Sequence, residues 1–167
     1  MSEDKIYKPI QVYALVALRI IIGWHILFEG FSKLLNPFWS SSGFLSESKW
    51  ILSGFSHWIV SHAGVLNMVD ILNTWGLIAI GLGLILGLFT RLAAISGAIL
   101  LFIYYLNNPP LIGLEYSVPT EGSYLIVSKT LIEAVALVAL AVFPSGMFAG
   151  LDMLDSRYIN RNNKMED

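Results

Sequence analysis

The sequence predicts an all-α membrane protein: a four-transmembrane-helix bundle, both termini cytoplasmic, with a short amphipathic helix in the outer loop. Three observations predict it. First, 56% of the 167 residues are hydrophobic and 13% are charged, whereas a soluble domain carries about 25% charged residues. Second, the apolar residues fall into four long segments, and about 20 apolar residues suffice to cross a bilayer. Third, the lysines and arginines outside those segments gather on one side of the implied topology.

The spans follow in order. Span one covers 11–31 and holds the chain in the membrane. Its apolar run is too long for a signal peptide, and no small-x-small cleavage site follows it. The outer loop covers 32–70. Within it Trp50, Ile51, Phe55, Trp58, Ile59 and His62 recur at helical spacing, which predicts an interfacial helix over 50–62. It reads as a lid on the bundle, over a lipid-soluble ligand or with no chemistry of its own. Span two covers 71–89 and span three 92–106, with Gly87–Arg91 as a tight turn. The glycines of span two and the small residues opening span three predict a closely packed hairpin of these two, because small side chains let membrane helices approach. Asn107-Asn108-Pro109-Pro110 stops span three, since proline cannot continue a helix and restricts the residue before it. Span four covers 124–143, ended by Pro144-Ser145-Gly146, and a cytoplasmic tail follows over 145–167.

Lys5, Lys8, Arg91, Arg157, Arg161 and Lys164 lie on one side and Lys33 and Lys49 on the other. The positive-inside rule then places both termini in the cytoplasm. Trp39, Trp50, Trp58, Tyr104, Tyr105, Tyr116 and Tyr124 fall at or beyond the outer interface and read first as an aromatic belt.

The chain contains no cysteine, which excludes thiol catalysis and cysteine-ligated clusters within it. A net charge of -2 gives no sign of nucleic-acid binding. His25 is the one histidine within a span, so a bis-histidine haem held by this chain is not expected. His57 and His62 are five apart in the outer loop and suit a surface position. No metal site is expected.

The informative residues are the ionisable ones inside the spans: Arg19, His25 and Glu29 in span one, Lys129 and Glu133 in span four. A charge at the bilayer centre costs at least about 2.5–3.5 kcal/mol, so such residues face the protein interior and take partners. At a rise of about 1.5 Å per residue, Arg19 lies at the depth of Glu133, and Glu29 at that of Lys129. This predicts that spans one and four are neighbours joined by a polar cluster, with Asp70 and Asn73 completing it. Trp24, Asn73, Trp75 and Tyr105 are further candidate lining. The cluster reads as a ligand or proton site, or as ion pairs that fix helix register. No catalytic residue is identifiable.

The order of these features resembles one family. Leu18-Arg19 with Gly23-Trp24, then Glu29-Gly30 with Lys33-Leu34, is similar to the first helix of the DoxX family. So are Trp75-Gly76-Leu77 with Gly81 and Gly83, Thr90-Arg91-Leu92, and Tyr104-Tyr105-Leu106 before Pro109-Pro110. Glu121–Val127 with Lys129, Leu131, Ile132 and Glu133 looks like the family's fourth helix, and Gly150-Leu151-Asp152 fits its close. The resemblance covers about residues 13–154. It implies a small four-helix protein of the bacterial inner membrane. It also implies association with redox systems: the related DoxD small subunit belongs to an archaeal thiosulfate:quinone oxidoreductase, and other members are linked to oxidative- or thiol-stress complexes.

The expected function is therefore a membrane subunit or anchor of a quinone-linked oxidoreductase system. Its partners would be the lipid bilayer, a bound quinone and a redox protein, with a homo-oligomer as a further arrangement and no nucleic acid. A quinone suits an apolar bundle with a few polar groups. Arg19 or His25 would hydrogen-bond its carbonyl, and Glu29 or Glu133 would exchange protons with it. The alternatives are a small transporter for an anion or lipophile, and a purely structural membrane partner.

Overall fold

The computed structural model describes residues 8–111, 113, 114, 116, 125–143 and 150–152. Among them the chain forms six helices and no strand element: α1 (Pro9–Leu35), α2 (Ser42–Ser46), α3 (Ser53–Ser61), α4 (Ala63–Leu86), α5 (Thr90–Asn107) and α6 (Lys129–Val142). The expected tail over 145–167, apart from Gly150–Asp152, lies outside the described residues. So do Tyr124 and most of the loop before it.

α1 starts at a proline, whose missing N–H costs nothing in a first turn. Its buried residues are Arg19, Ile22, Gly23, Ile26, Leu27 and Gly30, one stripe at spacings of three and four. The rest of the helix is also apolar, yet exposed: Tyr13, Ile20, Ile21, Trp24, Phe28 and Phe31 face away from the protein. A helix apolar on every side with one protein-facing stripe belongs in lipid. α1, α4 and α5 are each long and apolar enough to cross a membrane.

The helices depart from the expected spans at both ends of the set. α4 begins at Ala63 rather than near residue 71. Asn67 and Asp70 interrupt the apolar run, but the helix carries them because Asp70 is satisfied: it accepts from the Ser41 backbone N–H at 2.9 Å and from Ser41 Oγ at 2.5 Å. The outer connection is correspondingly shorter, and His62 alone separates α3 from α4. α6 has 14 residues, about 21 Å, against a hydrocarbon core of about 30 Å. Ser128 caps it, its hydroxyl accepting from the Leu131 N–H at 3.3 Å, and Leu125–Ser128 run outside the helix.

The core is shared by four helices: Ile22 and Ile26 of α1, Leu77, Ile80 and Leu84 of α4, Ala94, Ala98 and Leu101 of α5, and Leu137 and Leu140 of α6. Packing is most extensive between α1 and α4, then between α5 and α6, with α4 against α5; α1 and α6 meet over a short stretch. This corrects the expected glycine hairpin. A Cβ on Gly81 would stand 2.6 Å from the backbone nitrogen of Leu27, and one on Gly23 2.9 Å from Leu84 Cβ. The close pair is thus α1 with α4. Gly83 alone of the expected set serves α5, 3.1 Å from Ala93 Cβ.

The α4–α5 turn follows the expectation. Gly87 is left-handed (φ 66°), and the Leu88 N–H returns to Gly83 O at 3.0 Å, a Schellman ending that favours glycine. A side chain at Gly87 would also meet Gly150 Cα at 2.7 Å and the Arg19 guanidinium at 3.0 Å.

On the other end of the bundle, α2 and α3 form a small outer layer. α3 is shorter than the expected 50–62. It turns Ser56 and Ile59 inward, while Phe55 and Trp58 are exposed. The layer is fastened to the end of α5 by Asn107, which is 2% exposed. Asn107 Oδ1 accepts from Ser56 Oγ at 2.5 Å and its carbonyl from Ser48 Oγ at 3.0 Å.

Gly81→Ala forces a methyl into the α1 backbone and lowers stability by about 1–3 kcal/mol. Gly76→Ala, where a Cβ meets nothing within 4 Å, is neutral or slightly stabilising, as expected from helix propensity. Thermal melting of the two detergent-purified variants beside the parent checks the contrast.

Candidate functional site

The ionisable residues of α1 and α6 converge where those helices meet. Lys129 and Glu133 are one turn apart on α6, and they close on the two nitrogens of a single imidazole. His25 Nδ1 lies 3.0 Å from Glu133 Oε1, and Lys129 Nζ lies 2.9 Å from His25 Nε2. An ammonium only donates, so Nε2 accepts from Lys129, while Nδ1 stands at ion-pair distance from Glu133 without making a hydrogen bond to it. Glu29, one turn outward from His25, pairs with Lys33 of its own helix at 2.7 Å. Glu29, Lys33, Lys129 and Glu133 form a balanced set around the His25 imidazole.

These side chains line a cavity of about 230 Å³, floored by Ile26, Leu77 and Leu101 and bordered by Tyr104 of α5. The Tyr104 hydroxyl donates to Asn73 Oδ1 on α4. The site therefore draws on all four core helices, with its charges from α1 and α6.

The pairing differs from the expected one. Glu133 meets His25 rather than Arg19, and Glu29 takes Lys33. Lys33 lies within α1, where the sequence reading placed an outer loop. Arg19 lies six residues nearer the N-terminal end of α1, about 9 Å away along the axis. There it is 2% exposed, with its guanidinium against Gly87 and under the electrostatic attraction of Asp152. Asp152 also caps α5: its carboxylate accepts from the Phe89 N–H at 2.7 Å and the Thr90 N–H at 3.0 Å. The Leu151 and Asp152 amides bond to Leu86 O and Gly87 O at 3.2 and 2.8 Å. The segment Gly150–Asp152 is thus strapped over the α4–α5 turn, with the Arg19 charge beneath it. The carboxylate sits at the positive end of the α5 dipole and offsets the positive φ of Phe89 (48°).

The further candidates are dispersed. Trp24 and Trp75 are 64% and 58% exposed on the outer faces of their helices, away from the cavity. Tyr105 is buried and donates to Ile126 O at 2.8 Å, which ties α5 to the strand of chain before α6. Asp70 serves Ser41, and Asn73 serves Tyr104. His57 lies on α3 and His62 just after it, bonded to Ser46 O at 3.1 Å and Trp58 O at 2.8 Å. Among the described residues, no group of three His, Asp or Glu side chains is placed to hold a metal ion.

Three residues of these two constellations were noted in the sequence but not placed in the polar cluster. Lys33 had a signal, its i+4 spacing from Glu29. Tyr104 was absorbed into the aromatic belt. Asp152 carried no physical signal, because its partners are backbone amides 62 and 63 residues away.

Chemically, the Lys129 ammonium, the His25 imidazole and the Glu133 carboxylate stand in a row at 2.9 and 3.0 Å, a donor and an acceptor on either side of a ring that can act as both.

A family model described as DoxX matches residues 14–106. No significant match is found among the curated proteins or the solved structures. The matched stretch contains His25, Glu29, Lys33 and Tyr104, while Lys129 and Glu133 lie beyond it.

Asp152→Ala removes the α5 cap and leaves Arg19 without this carboxylate, at a cost of about 1–3 kcal/mol. Adding Arg19→Met recovers part of that loss, because the buried charge goes with its counter-charge. Melting temperatures of the single and double variants check the coupling.

Proposed function

The chain belongs to the DoxX family, and from that premise and the polar cavity we propose that it is a membrane subunit of a quinone-linked oxidoreductase system. In this reading it is a multi-pass protein of a bacterial inner membrane, with both termini cytoplasmic and α6 as the fourth crossing. The carrying observation is a row of ionisable groups that lines a cavity between apolar helices: Lys129, His25 and Glu133 beside about 230 Å³ of space.

The chemistry fits in outline. Reducing a quinone to its quinol takes two electrons and two protons. A redox protein partner supplies the electrons, and this row, as a proton path, supplies protons one at a time at the cavity wall. His25 Nδ1 is the ring nitrogen nearest Glu133, and Tyr104 offers a hydroxyl at the cavity edge. Glu133 is the group that takes up or releases the proton during turnover. Ile26, Leu77 and Leu101 give the cavity an apolar floor, and a lower local dielectric strengthens each of these contacts.

The short α6 supports a second reading. Leu125–Ser128 are non-helical and Lys129 opens the helix, an arrangement that in transporters places a helix end beside a midplane site. An anion drawn to Lys129 and Lys33 would then be the cargo.

Quinone bound to gently purified protein, extracted and quantified by mass spectrometry, separates the two. The oxidoreductase reading expects quinone enriched well above its ratio to bulk phospholipid. It also expects Glu133→Gln to keep the quinone while quinone-dependent turnover with the partner falls by about 10²-fold. Protein at the bulk lipid ratio, with anion uptake by reconstituted vesicles that Lys129→Gln abolishes, establishes the transporter reading instead.

A further inference from the structure

A second cavity, about 450 Å³, lies between the α2–α3 layer and the α4–α5 pair. It falls within the range of small-ligand sites, about 300–1,000 Å³. Phe44, Leu45, Leu52, Phe55, Ile59 and Leu72 make most of its wall, and no Asp, Glu, Lys or Arg is among the residues lining it. Five side chains with polar atoms reach the wall, and each makes a hydrogen bond within the protein. Ser41 donates to Asp70, Ser56 to Asn107 Oδ1, the Asn107 amide to Phe44 O at 3.4 Å, and Asn73 accepts from Tyr104. Among the described residues, the wall therefore offers an occupant no charge, and of its side-chain amides only the Asn73 N–H groups have no bond of their own. Its electrostatic complement is a neutral hydrocarbon. α4 and α5 are helices of membrane-crossing length, so the surrounding phase that supplies such a chain is the bilayer itself. Tyr104 borders both this space and the polar cavity.

We propose that the space beneath α2–α3 is a binding site for one hydrocarbon chain of a membrane amphiphile, acyl or isoprenoid, and that the α2–α3 layer is its roof. The site stands on its own walls and does not rest on the quinone reading. The roof is held by hydrogen bonds to the end of α5 (Ser48 and Ser56 with Asn107, and Asn108 Nδ2 to Phe44 O at 3.1 Å). Phe44 adds an edge-on contact to Tyr104, ring centroids 5.6 Å apart, and the exposed Phe55 ring is left to the occupant.

The test uses the full chain in lipid nanodiscs with two photoreactive probes in parallel. One is a phosphatidylethanolamine with a diazirine in its acyl chain. The other is a quinone with a diazirine in its isoprenoid chain. Adducts are mapped by tandem mass spectrometry. The expected result is labelling of Leu52–Ile59 and Leu100–Ile103 several-fold above that of the lipid-facing Trp24–Phe28 stretch. Leu72→Trp and Ile103→Trp fill the space from positions that are already 61% and 48% exposed. Each lowers the cavity adducts at least fivefold and leaves the α1 adducts unchanged, in protein that elutes as a single species. Labelling by the acyl probe alone, the isoprenoid probe alone or both supports the site and names its source. Acyl labelling together with an empty polar cavity overturns the quinone reading and leaves the chain site standing. Cavity labelling no greater than that of α1, or unchanged in both folded variants, overturns the proposal.

Discussion

The architecture depends on how α1, a helix of membrane-crossing length, and the shorter α6 accommodate ionisable side chains that lipid will not. Each charge in a span costs at least about 2.5–3.5 kcal/mol if left to the bilayer. α1 and α6 meet over a short stretch, and what they share there is polar. His25 stands between Glu133 at 3.0 Å and Lys129 at 2.9 Å, with Glu29 and Lys33 closing the set on α1. Apolar packing of α1 on α4 and of α6 on α5 brings the two pairs together, and the imidazole joins them across the remaining side. The same rule places the Arg19 charge at the other end, beneath the Asp152 strap.

An ionic cluster set between helices is weak support for stability, since apolar side chains of equal volume often serve as well. Its value lies in what it permits. The cluster lines a polar cavity beside an otherwise apolar core and sets Lys129, His25 and Glu133 in a row along it. The tight α1–α4 seam built on Gly23, Gly30 and Gly81 holds His25 and Glu29 in register. The outer layer contributes a second, wholly neutral space that shares Tyr104 with the first. Polar chemistry and hydrocarbon binding are thus separated by one aromatic side chain.

Much of this was legible in the sequence. Composition and apolar run lengths give an all-helical membrane protein, and the Gly87 turn and the stop before Pro109 stand where they were expected. The intramembrane ionisable residues mark the polar cavity because lipid makes them costly wherever they lie. Their pairing was not legible. Counting at 1.5 Å per residue assumes that span four is helical from residue 124, whereas α6 starts at Lys129 and the chain before it rises faster per residue. Depth arithmetic also carries no information about direction around a helix, so Arg19 and His25, six residues apart, were ranked by depth alone. The glycine seam failed for a related reason: spacing shows that a helix has a close partner, not which helix it is. Hydropathy likewise finds where a helix crosses lipid, and α4 continues past that limit because Ser41 satisfies Asp70.

The absence of cysteine makes the central arrangement directly measurable. His25→Cys/Glu133→Cys and Arg19→Cys/Glu133→Cys are exposed, in native membranes, to a short thiol-specific cross-linker, with no background from the chain itself. The structure predicts that the His25 pair cross-links and the Arg19 pair does not. Cross-linking of the Arg19 pair in preference to the His25 pair would contradict the register on which the cavity and its proposed proton path and ligand all depend.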